Sequence, residues 1–262
     1  MQRLPAASGL QWIRDGFALF RRQPNQLSLL FLLYVTLNLM MAVVVPPIGS
    51  LVLVLVNQVF ITSFMLGCAY ADAGRPVRPK LLFAYLKKPI FMRLTGLGVC
   101  YLLAQLVAAG AMFLYSDGTL VDALAKAKAS APGTVDLAAQ ELVMRSLFFG
   151  MSVYVILIFP LWFAAPLIAW QEMGVAKAIF FSFFSVLRAI KAFIAYVLAW
   201  FAIVLFMSIN LTALISLMPS GGNAFALLLL VPCTLFLSML YFLSFYTSYV
   251  ELFGEPALPP QE

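Results

Sequence analysis

Six stretches of this chain, residues 26–45, 48–70, 94–115, 146–170, 192–218 and 224–249, contain no Asp, Glu, Lys or Arg. An α-helix rises about 1.5 Å per residue, so roughly 20 apolar residues cross a hydrocarbon core ~30 Å thick. Each run is that long or longer. In lipid every backbone N–H and C=O must be paired within the protein, which makes helices the form for runs of this length. The expected fold is all-α: a polytopic membrane helix bundle of six transmembrane helices forming a single integral membrane domain. Composition agrees, with 64% of the 262 residues hydrophobic and 10% charged. A soluble domain carries about 25% charged residues. The first run is too long for a signal-peptide core, and Val43-Val44-Val45-Pro46-Pro47 offers no small-residue cleavage site. It reads as an uncleaved first helix of a bacterial inner-membrane protein.

The few charges fall between the runs, and unevenly. Thirteen Lys and Arg lie in the N-terminal segment and in loops 71–93 and 171–191; three lie in loop 116–145. By the positive-inside rule both termini are cytoplasmic. With the acids included, the cytoplasmic face carries +7 and the outer face −1. Such a surface attracts anionic lipid headgroups. It does not call for nucleic acid, because basic loops are needed for topology in any case.

Short sequences recur around the runs. Phe17-Ala18-Leu19-Phe20-Arg21-Arg22, Phe83-Ala84-Tyr85-Leu86-Lys87-Lys88 and Phe184-Ser185-Val186-Leu187-Arg188, with Lys191 beyond, precede the odd-numbered runs. Apolar residues three apart followed by cations suit an amphipathic helix lying in the interface, rings down and charges toward headgroups. Arg21, Arg22, Lys87, Lys88, Arg188 and Lys191 are therefore candidate headgroup contacts. Each even-numbered run closes on an aromatic residue, an acid two positions later and then a glycine: Tyr70-Ala71-Asp72, Trp170-Gln171-Glu172 and Tyr249-Val250-Glu251. The chain thus reads as three parallel units, approximately 8–74, 80–174 and 177–254, each an interfacial helix and two spans. An acid at a helix C-terminus opposes the macrodipole and needs a compensating partner. Cations such as Arg21, Lys87 or Arg188 are the expected partners. The sharper alternative is a cytoplasmic ring of Asp72, Glu172 and Glu251 around an entrance.

Other residues narrow the chemistry. The chain has no histidine, which excludes His-based triads, zincin motifs and imidazole proton relays. Cys68, Cys100 and Cys233 are far apart, each in an apolar run, and read as small core residues. No motif implies a cofactor or metal. Charge-free spans argue against proton-coupled pumping, which needs ionisable groups in the membrane. The polar residues left within the runs are chiefly Asn38, Asn57, Gln58, Gln105 and Asn210, able to bond across helix interfaces or to line a path. Pro160, Pro166 and Pro232 predict kinks, and Gly96, Gly98, Ala104, Ala108, Ala109 and Gly110 predict close packing along the third run. In loop 116–145, Thr119 begins a capping-like sequence and Pro132-Gly133 breaks any helix there.

Residues 4–24 (LPAASGLQWIRDGFALFRRQP), 163–170 (FAAPLIAW), 177–193 (KAIFFSFFSVLRAIKAF) and the YVELFG ending at 249–254 together resemble a family of uncharacterised proteobacterial six-helix inner-membrane proteins. The resemblance covers nearly the whole chain and brings no catalytic or binding residues with it. A broader likeness is to six-helix membrane domains found beside glycerophosphodiester phosphodiesterases; no catalytic domain accompanies it here.

These features favour a non-enzymatic membrane protein with a structural, scaffolding or accessory role. The alternative is a transporter or channel for a neutral or lipid-like solute. A polar cavity lined by Asn38, Asn57, Gln105 or Asn210 would separate the two.

Overall fold

The computed structural model describes residues 4–44, 48–129, 137–216 and 222–258. Among these the elements are α1 (Ala7–Arg22), α2 (Pro24–Val44), α3 (Ile48–Asp72), α4 (Ile90–Tyr115), α5 (Leu120–Ala129), α6 (Leu137–Ile158), α7 (Ala164–Trp170), α8 (Val175–Arg188), α9 (Ile190–Ser216) and α10 (Gly222–Phe253). Two 3-10 segments, Pro79–Leu86 and Phe159–Leu161, complete them, and no strand occurs among the described residues. Among the described residues six stretches are long and apolar enough to cross a membrane: Pro24–Val43, Leu51–Asp72, Ile90–Tyr115, Leu137–Trp170, Ile190–Ser216 and Leu228–Phe253.

The expected number of spans agrees with the structure; their ends differ. The helix of the fourth span starts at Leu137, well before residue 146, because Glu141 and Arg145 stand one turn apart and pair at 2.6 Å. A neutralised i,i+4 pair continues a helix that a count of charge-free residues cuts short. That span is not one rod. Pro160 sits in the 3-10 turn and Pro166 in α7, and Phe163 between them leaves helical geometry. Proline lacks the N–H that would continue the ladder. Pro232, by contrast, lies inside an α10 that runs unbroken.

The segment read as loop 116–145 is largely helical. α5 begins one residue after Thr119, whose hydroxyl donates to the Ser116 carbonyl at 2.6 Å instead of capping the new helix. Arg3, Val45, Pro46, Pro47, Pro132, Gly133, Asp136 and Glu262 lie outside the described residues.

Of the three short basic segments, the first and third are α-helices, α1 and α8, and the middle one is a 3-10 segment of 8 residues. Pro79 opens it and Pro89 follows it, with Lys87 already extended (φ −85°, ψ 139°). A residue near a following proline is pushed out of helical geometry, which keeps the segment short.

Packing is concentrated where these segments gather, here termed the basic end. α3 is buried almost continuously from Val59 to Ala71. Leu94 and Leu97 of α4, Leu167 and Ile168 of α7, and Leu243 and Tyr246 of α10 close around it. α1 lies against α10 and the start of α9, with its glycines setting the distance. A Cβ on Gly9 would stand 2.7 Å from the Tyr196 backbone nitrogen, and one on Gly16 2.7 Å from that of Ser244. Toward the opposite end the buried residues of α4 and α6 are small: Ala104, Ala108, Ala139, Ser146 and Gly150. Lacking large side chains to fill the interior there, the bundle leaves space within it.

Candidate functional site

The space is a cavity of about 530 Å³ at the boundary between the packed and the open half. Asn38 reaches it from α2, Asn57 and Gln58 from α3, and Gln105 from α4. Four tyrosines add hydroxyl groups: Tyr34, Tyr101, Tyr154 and Tyr241. Trp162, Phe242 and Phe245 contribute aromatic walls. None of the described lining residues carries a charge. Of the five intramembrane amides picked out by sequence, four line this cavity. Asn210 does not; it lies exposed on α9, its amide nitrogen donating to the Phe206 carbonyl of its own helix at 2.7 Å.

Some of the polar groups are held in place by local bonds. Tyr34 Oη donates to Asn57 Oδ1 at 3.0 Å, which leaves the Asn57 NH2 as the donor end of that amide. Asn38 Nδ2 donates to the Tyr34 carbonyl at 2.8 Å, and Tyr101 Oη to the Leu161 carbonyl at 3.4 Å. The Trp162 indole nitrogen is buried and has no hydrogen-bond partner among the described residues. A buried donor left unpaired costs about 1–3 kcal/mol. The tyrosines were missed by the sequence reading because they count as apolar. Their signal is position: tyrosines of a membrane protein concentrate at the two interfaces, and Tyr101 and Tyr154 sit well inside their spans.

At the basic end α1 binds two of the acids, Asp72 near its C-terminus and Glu251 near its N-terminus. Asp72 pairs with Arg22 Nη1 at 2.8 Å and accepts the Tyr246 hydroxyl at 3.2 Å. Glu251 accepts Ser8 Oγ at 2.9 Å and the Trp12 indole N–H. The partner of Asp72 is therefore Arg22, not Arg21, and Glu251 is bound by neutral donors. Glu172 is placed differently. It adopts a left-handed backbone (φ 51°), and its carbonyl, not its carboxylate, accepts Arg93 Nη1 at 2.7 Å. α1 packs against α2, α3, α9 and α10.

Arg21, Lys87, Lys88, Arg188 and Lys191 are exposed. Arg188 and Lys191 flank a cleft of about 560 Å³ at the α8–α9 corner, together with Phe184 and Leu187.

One carboxyl at this end is electrostatically perturbed. Asp15 is pushed above its ordinary value by partial burial first, then by Glu251, with Arg14 opposing and Asp72 adding. Its ionised form is thus less favoured in the folded protein than in the unfolded one, a penalty present at neutral pH and lost as pH falls through the folded-state value toward 3.8. Asp15→Asn is expected to raise the thermal midpoint slightly at neutral pH and to give no gain in strong acid. Parallel melts of the two proteins in one detergent at both pH values check this.

A protein of Burkholderia thailandensis described as a probable inner membrane protein is 32% identical to this chain over 259 residues, which is 97% of this chain and 94% of that protein. No family model and no solved structure matches the chain. The likeness to domains beside glycerophosphodiester phosphodiesterases therefore gains no support.

Proposed function

The chain belongs to the same inner-membrane protein family as this Burkholderia thailandensis relative, and from that premise we propose that it is a non-enzymatic, multi-pass protein whose cavity receives a neutral solute from or through the bilayer. The cavity carries this reading. Of the discriminating residues Asn38, Asn57, Gln105 and Asn210, the first three line one hollow of about 530 Å³ and Asn210 does not. Small-molecule sites span about 300–1,000 Å³ and combine apolar walls with a few placed polar groups. With no charge in the lining, the occupant is uncharged, since a buried ion without a counter-charge is strongly disfavoured. A purely structural role has no use for such a hollow, which leaves the scaffolding alternative second.

In this reading both termini are cytoplasmic and the basic end faces the cytoplasm, by the excess of Lys and Arg there. The three units, 8–74, 80–174 and 177–254, each begin with an interfacial segment that touches anionic headgroups through Arg21, Arg22, Lys87, Lys88, Arg188 and Lys191. The equivalent first aromatics support this. Phe17, Phe83 and Phe184 are exposed to 44%, 43% and 43%, as rings dipping into an interface would be.

The test is purification of the chain in native lipid, followed by identification of the molecules that leave with it. A neutral molecule retained by the wild type and lost from Asn57→Leu combined with Gln105→Leu supports the reading. A folded double variant that retains every co-purifying molecule would sink it.

A further inference from the structure

A second hollow, of about 640 Å³, runs between α9 and α10. Its walls are side chains such as Phe201, Val204, Leu230 and Leu237. Of its Ser and Thr residues, Ser208, Thr234 and Ser238, two turn their hydroxyls away. Ser208 Oγ is spent on the Val204 carbonyl at 2.8 Å, and Thr234 Oγ1 on the Leu230 carbonyl at 2.7 Å, each within its own helix. Apart from Ser238 and the Trp200 indole, whose buried nitrogen has no partner among the described residues, the groove is a hydrocarbon surface. It adjoins the polar cavity, and Tyr241 and Phe242 line both. Among the described residues neither lining contains Asp, Glu, Lys or Arg.

An apolar groove beside a hollow that carries amide and hydroxyl groups has the division of a lipid. The missing charges decide which kind. A phosphodiester headgroup is a permanent anion and would need Arg or Lys. A hydroxyl headgroup needs uncharged donors and acceptors, which Asn57, Gln58 and Gln105 supply. We propose that the two hollows form one site for a lipid with an uncharged hydroxyl headgroup, of the diacylglycerol class. Its hydroxyl sits among Asn57, Gln58 and Gln105, and a hydrocarbon chain lies along α9 and α10 past Tyr241 and Phe242. This rests on the cavity receiving a neutral solute, and it fixes which one.

The experiment uses the full chain in phosphatidylethanolamine nanodiscs with a diacylglycerol bearing a diazirine in its acyl chain. Illumination is expected to label residues 197–211 and 230–241 in preference to other lipid-facing helix surfaces, such as that of α6. Unlabelled diacylglycerol should compete and phosphatidylglycerol should not. Asn57→Leu with Gln105→Leu should weaken labelling about tenfold, the loss of roughly one or two hydrogen bonds. Ser208→Phe, which fills the groove, should abolish labelling there without touching the polar hollow. Competition on the wild type needs no variant, so misfolding of a variant does not blunt the test. Even labelling of all helices, or equal competition by phosphatidylglycerol, would overturn the proposal. Radiolabelled glycerol separates the two readings. Glycerol binding that Asn57→Leu with Gln105→Leu removes, without groove labelling, overturns the lipid assignment and leaves the neutral-solute reading standing. Neither glycerol binding nor lipid labelling overturns both.

Discussion

Trp12→Ala is expected to lower the stability of the whole bundle by about 3–5 kcal/mol, the range for truncating a well-packed aromatic side chain. Trp12 is only 1% exposed, and its ring meets Phe193 and Tyr196 edge-on at centroid distances of 5.1 and 5.6 Å. Phe193 in turn packs on Trp162 at 5.6 Å, and Trp162 on Phe245 at 5.9 Å, both of them cavity-wall residues. One indole thus links α1 to the floor of the cavity. It also holds the end of α10, through its N–H to Glu251 and through its carbonyl, which accepts Thr247 Oγ1 at 2.8 Å. Removing the side chain leaves a void between backbones that Gly9 and Gly16 have drawn too close to readjust cheaply. Trp12→Phe divides the effect: it keeps most of the ring contact and loses the bond to a charged acceptor, worth about 1.5–3 kcal/mol. Thermal unfolding in a single detergent measures both. A Trp12→Ala protein as stable as the wild type would mean that α1 is not docked as described.

Gly98→Leu is expected to disrupt the bundle at a second place and to empty the cavity. A Cβ on Gly98 would run into the backbone carbonyl of Leu55, standing 2.7 Å from its carbonyl carbon and from its Cα. Backbone cannot swing aside as a side chain does, so α3 and α4 must part. Overpacking typically costs about 1–3 kcal/mol and occasionally more; two abutting backbones put this site at the upper end. Asn57 is two residues beyond Leu55 and Gln105 is on the same helix as Gly98, so the change also spreads the polar walls. Gly110 on α4 is the control. A Cβ there meets nothing within 4 Å, and Gly110→Leu should stay within about 0.5 kcal/mol of the wild type. Equal stability of the two variants would contradict the α3–α4 packing.

Six spans were legible because lipid imposes one rule on every backbone group, and an unbroken apolar run satisfies it locally. Their ends were less so. Glu141 and Arg145 cancel one another on a single helix face, and Asp72 and Glu251 are satisfied by residues of α1, so charge did not mark where helices stop. The acids were visible as a recurring pattern, but their partners were not. Ser8 and Trp12 lie 243 and 239 positions from Glu251, and no local spacing encodes that. The cavity amides could be picked out one by one as polar residues in apolar runs. Their convergence depends on how α2, α3 and α4 pack, and Asn210 shows the limit, since the same residue type on α9 serves only its own backbone. The groove beside the cavity left no sequence signal. Ser208 and Thr234 look polar and become apolar wall only once their hydroxyls fold back on the helix.

Thiol labelling at position 57 tests most directly whether the bundle holds a polar cavity open to solutes. Asn57→Cys, in a chain with Cys68, Cys100 and Cys233 replaced by alanine, is compared in nanodiscs with Leu97→Cys, a position 0% exposed. A small hydrophilic methanethiosulfonate should modify the cysteine at 57 and leave the one at 97 untouched, and added diacylglycerol should slow the reaction at 57. A cysteine at 57 as inert as the buried reference, in protein that is folded, would contradict the cavity and the function built on it.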